Sequence, residues 1–81
     1  MTTNFPHYAH KVDANDAFSL AVAYHNFCQS DYSSLEQCQS RKYWARRLRE
    51  LIASTKVGDL MSDFTLENAI RVSDLCISQF K

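Results

Sequence analysis

Two short spacings bring soft side chains within reach of one another: His7-x2-His10 and His25-x2-Cys28. Together with Cys38 and Cys76 they include the histidine and thiolate ligands that zinc takes. The spacing argues against a metal site, because there is no CxxC knuckle and the first pair sits in a stretch without helical periodicity. His25 and Cys28 share a helix face, so a Cys nucleophile with a neighbouring base is conceivable there. A nucleophile also needs an orienting group and a pocket that stabilises the developing oxyanion, and a helix exterior provides neither. No glycine-rich phosphate loop, G-x-S-x-G or H-E-x-x-H is present. A core this small leaves little room for a substrate cavity of about 300 Å³. The expectation is a protein that is not an enzyme, with no metal and no cofactor, whose cysteines are buried thiols and whose histidines are ordinary.

The strongest remaining signal is "SRKYWARRLRELI", Ser40 to Ile52. At roughly 100° per residue, Trp44, Ala45, Leu48, Leu51 and Ile52 form one apolar face. Lys42, Arg46 and Arg49 cluster on one flank of it, Arg47 lies on the other, and Tyr43 stands off the apolar face. Such a basic flank can neutralise phosphates, and Tyr43 could stack on a base, so nucleic-acid binding is the alternative reading. Two features weigh against it. The chain carries nine basic and nine acidic residues, and its pI is about 6.8, whereas a dedicated nucleic-acid domain is usually above 9. A helix-turn-helix reader built on the last helix would present Glu67 and Asp74 with Arg71 as its one cation. Residues 41–50 hold a net +4 and the rest of the chain −4, with Asp59, Asp63, Glu67 and Asp74 placed to fold back on the basic segment.

Arginine and aromatic side chains are enriched at protein interfaces, so the third reading is an acidic protein surface bound through Lys42, Tyr43, Arg46, Arg47 and Arg49, with Phe5 and Tyr8 in second place. Arg41 points toward the apolar side, either snorkelling from the start of the helix or anchoring an interface.

The elements that must position these groups are helical. A single Gly and a single Pro cannot supply the turns of a sandwich or barrel. Residues 1–12, with Pro6 among mixed aromatics and histidines, read as an extended arm, and residues 13–81 as one helical domain. Asp13 is a candidate cap for a helix over about 14–28, whose stripe of Ala17, Leu20, Ala21, Tyr24, Phe27 and Cys28 is widened by Phe18 and Val22, as if packed on two sides. Ser33 with Glu36, or Ser34 with Gln37, has capping-box spacing for a second helix over about 35–54. Gly58 is the natural stop and Thr65 the natural cap of a third helix over about 66–80, with a short helical turn near 59–64. That helix repeats Leu66, Ala69, Ile70, Cys76, Ile77 and Phe80, with Val72 and Leu75 beside the stripe. The expected architecture is an all-α three-helix bundle.

At 81 residues, 46% hydrophobic and 22% charged, the chain is an ordinary globular domain that buries only about 60–65% of its unfolded surface. That marginal core makes a homodimer plausible. No run approaches the roughly 20 apolar residues of a membrane span, and "MTTNFPHYAHK" has no basic region followed by an apolar one, so neither an anchor nor a secretory signal is expected. Three irregularly spaced cysteines fit reduced thiols and a cytoplasmic location. Small inhibitors encoded by phages or mobile elements share this profile. The reading is a stoichiometric protein-binding module: an adaptor, accessory subunit or inhibitor.

Overall fold

Ser34 sets the start of the central helix. Its backbone is extended, and its Oγ accepts the Gln37 N–H at 3.1 Å, satisfying one of the donors a helix N-terminus leaves open. Gln37 does not return the bond to its cap; its Oε1 accepts instead from the Asp31 N–H at 3.2 Å. Asp31 in turn accepts from the N–H and Oγ of Ser33. The polar "SDYSS" loop is thus a run of local hydrogen bonds that reverses the chain in a few residues.

The computed structural model describes residues 14–56 and 60–80; the proposed arm, the Asp13 cap and the Gly58 stop lie outside them. The helices are α1 (Ala14–Gln29), α2 (Leu35–Thr55) and α3 (Asp63–Gln79), with no strand among the described residues. The protein is an all-α three-helix bundle. Both outer helices pack on α2, and among the described residues none of the α1 backbone approaches that of α3 closely. α2 is therefore the shared partner of both. Leu20, Ala23 and Phe27 from α1 meet Ala45, Leu48 and Leu51 from α2 and Leu66 and Ala69 from α3. Trp44, Ile52, Met61 and Ile70 pack against this cluster while half-buried. Each fully buried leucine contributes about 1.5–3 kcal/mol, so Leu20, Leu48 and Leu66 anchor one helix apiece.

Several expectations are corrected. α3 begins at Asp63, because Ser62 rather than Thr65 is its cap: the Ser62 Oγ accepts the Thr65 N–H at 3.1 Å. Phe64 accordingly belongs to the first turn of α3, and Leu60 and Met61 form bends instead of a separate helical turn. α2 ends at Lys56, whose φ of 63° and ψ of 30° put a non-glycine residue in the left-handed region while its N–H caps the Ile52 carbonyl. α1 is covered on one side only, so Phe18 is 70% exposed and Cys28 is exposed as well. Leu75 and Phe80 are also exposed on α3.

Candidate functional site

The five cations of α2 meet five different environments, decided by where α1 and α3 lie around it. Arg41 faces the C-terminus of α1. That helix has no basic residue in its last turn, and Arg41 supplies the charge from outside: Nη1 donates to the carbonyls of Phe27 at 2.9 Å and Ser30 at 2.8 Å. Its guanidinium stacks 4.2 Å from the Phe27 ring centroid and 5.0 Å from that of Tyr32. Arg41 is thus an internal cap for α1, a role outside both sequence-based alternatives.

Lys42 and Arg49 face α3. Lys42 Nζ sits 2.6 Å from Asp74 Oδ1. Arg49 makes a fork with Asp63, Nε to Oδ1 at 2.6 Å and Nη2 to Oδ2 at 3.1 Å, and Glu67 lies 3.9 Å from Nη2. The Asp63 carboxylate holds the Arg49 guanidinium further into its charged form. The register is antiparallel: as α2 advances from 42 to 49, its partner on α3 recedes from 74 to 67 and 63. Two of the three cations on the basic flank are therefore matched within the domain.

What stays open is the back of α2. Tyr43 is 59% exposed, its ring held edge-on to Trp44 with centroids 4.9 Å apart. Arg47 reaches Glu50 only at 4.0 Å, and Arg46 makes no ion pair or hydrogen bond among the described residues. Tyr43, Arg46, Arg47 and Glu50, with Lys42 at the edge, line a shallow depression of about 560 Å³. A smaller depression of about 360 Å³ lies between α2 and the start of α3, lined by Arg49, Ile52, Ala53, Met61, Asp63 and Leu66. Sequence spacing did not signal it, because it depends on α3 beginning at Asp63. Phe5 and Tyr8 lie outside the described residues.

The thiols are arranged differently from their sequence spacing. Cys28 lies against the Tyr24 hydroxyl one turn earlier; that interaction, with burial, pushes the Tyr24 hydroxyl above its ordinary pKa. Cys38 is fully buried, and burial together with the adjacent Cys76 thiol pushes its own pKa up. Among the described residues no three His, Cys, Asp or Glu side chains gather closely enough to hold a metal ion. No helix among them is long and apolar enough to cross a membrane.

Comparison with known proteins finds no matching family model, curated protein or solved structure.

Proposed function

We propose that the chain is a small non-enzymatic, cytoplasmic protein-binding module, acting as an adaptor, accessory subunit or stoichiometric inhibitor through the back of α2. The observation that carries this reading is Arg46, a guanidinium without an ionic partner among the described residues, beside the exposed ring of Tyr43 on a shallow concave face. An arginine beside a rigid aromatic is the chemistry of an interface anchor, and its natural complement is an acidic protein surface. Glu50 on the same face favours a protein over a phosphate track, and the pairing of Lys42 and Arg49 with α3 removes two cations that a nucleic-acid reader would use.

Affinity capture from lysate with and without nuclease tests the reading. A partner that survives nuclease and is lost from an Arg46→Glu/Arg47→Glu variant of unchanged helix content supports it. Binding that disappears with nuclease and falls steeply with salt replaces it with the nucleic-acid reading.

A further inference from the structure

The outward side of α3 carries two large apolar side chains that the fold leaves uncovered. Phe64 is 70% and Leu75 61% exposed, and Asn68 and Arg71 between them are exposed as well. At roughly 100° per residue these four fall within about 60° of one another, opposite the buried Leu66, Ala69 and Ser73, and form one line about 16 Å long. None of the α1 backbone approaches that of α3 closely, so no described helix overhangs this line. Its steps of four, three and four residues are the rhythm of a helix that pairs with another helix. Its chemistry reads the same from either end: apolar, polar, polar, apolar.

We propose that this line docks on itself, α3 pairing antiparallel with α3 of a second copy of the chain about a two-fold axis level with Ala69 and Ile70. Under a two-fold, if one residue meets another the reverse contact follows. Phe64 then packs on Leu75 of the second copy and Leu75 on its Phe64, while Asn68 and Arg71 face each other at the centre. Within its own chain the Arg71 Nη2 donates to the Asn68 Oδ1 at 2.8 Å, and the two-fold offers it the same acceptor across the interface. Charge sets the direction. Arg71 is the single cation of α3 and makes no ion pair among the described residues. Parallel alignment would set it against Arg71 of the second copy, whereas antiparallel alignment brings it beside that copy's Glu67. The Glu67 carboxylate is exposed and only 3.9 Å from its own Arg49, so it is open to a second cation. Sliding one helix by a turn would put apolar ends against the polar centre, so Asn68 and Arg71 also fix the register. A single helix pair is smaller than a standard interface of about 800 Å² per partner, which makes the dimer a reversible one.

Sedimentation equilibrium of the full chain, from about 10 μM to about 1 mM, tests the proposal. The expected result is a reversible monomer–dimer equilibrium. Phe64→Ser and Leu75→Ser each remove two contacts from a two-fold dimer, so each should weaken self-association by about a hundredfold. Helix content by circular dichroism should not change, because both side chains lie outside the core. Arg46→Glu/Arg47→Glu, on the back of α2, should dimerise as the parent does, which keeps this surface distinct from the partner-binding face. In a dimer mixed from labelled and unlabelled chains, isotope-filtered NMR should join the Phe64 ring to the Leu75 methyls of the other copy. A parent chain that stays monomeric to the top of the concentration range overturns the proposal. So does a dimer indifferent to Phe64→Ser and Leu75→Ser, or one whose contacts join Phe64 to Phe64 and Leu75 to Leu75.

Discussion

The Arg41 guanidinium and the Phe27 residue are joined twice: the charge stacks 4.2 Å from the ring centroid, and Nη1 donates to the carbonyl of the same residue at 2.9 Å. One side chain therefore holds the end of α1 both by its apolar face and by its unpaired backbone. With Tyr32 on the other side and the Ser30 carbonyl as a second acceptor, Arg41 fastens α1 to α2 where the loop begins. Charge-assisted hydrogen bonds contribute about 1.5–3 kcal/mol and a cation–π stack about 0.5–2 kcal/mol, with partial overlap. Arg41→Ala is expected to cost about 2–4 kcal/mol by urea denaturation, and Arg41→Lys about half as much, since an ammonium keeps the charge but loses the planar stack. Amide exchange should accelerate first in the last turn of α1.

Lys42 and Asp74 illustrate a weaker kind of contact. Both side chains keep substantial exposure, so water screens the pair despite its 2.6 Å separation. A double-mutant cycle of Lys42→Ala and Asp74→Ala should give a coupling of about 0–1 kcal/mol that shrinks with added salt. Arg49 and Asp63 should couple more strongly, because the fork fixes two bonds at once and Asp63 stands in the first turn of α3, where a carboxylate suits the helix dipole. A Lys42–Asp74 coupling larger than that of Arg49–Asp63 would contradict this ordering.

The sequence was legible where local chemistry acts on its own. Ser34 with Gln37 announces the start of α2 because a serine oxygen and an N–H three residues on can meet without help from the rest of the fold. The inward face of α2 is legible for the same reason: Ala45, Leu48 and Leu51 recur at helical spacing and are buried. What could not be read depends on which helix lies beside which. Phe18 follows the apolar pattern of α1 yet stays exposed, because α1 packs on one neighbour where its width suggested two. Lys42, Arg46 and Arg49 look alike on a helical wheel; only the placement of α3 separates the two paired cations from the open one. The closing of α2 at Lys56 was not legible either, because it is the cap bond to Ile52 that holds a left-handed backbone lysine would not choose unaided.

Asp31 gives a pH dependence of defined sign. The hydroxyl and N–H of Ser33 both donate to its Oδ1, so the carboxyl is held below its ordinary value of 3.8. A carboxylate with a lowered folded-state pKa contributes its full stability above the ordinary value and loses it as the pH falls through the lowered one. Near neutral pH this loop should therefore be insensitive to small pH changes. Ser33→Ala should move the Asp31 titration, followed by NMR, up toward 3.8. Its stability deficit relative to the parent should fade in acid; a deficit that stayed constant down to the acid-unfolding range would place the role of Ser33 elsewhere.

Ser73 offers a gain. It has no exposed surface, and its Oγ is buried without a hydrogen-bond partner among the described residues. An unpaired buried hydroxyl costs about 1–3 kcal/mol, and serine is also a poorer helix former than alanine. Ser73→Ala keeps the small volume that the α2–α3 contact requires while removing both penalties, so it should stabilise the domain by about 1 kcal/mol. In a domain of this size that corresponds to a thermal shift of about 4–8 °C. Ser73→Val removes the same hydroxyl but adds volume between helices held close by Ala45, Ala69 and Cys38, and overpacking of that kind costs about 1–3 kcal/mol. Opposite signs for the two variants are the expected outcome of thermal unfolding. Stabilisation by both would mean that the contact has room to spare.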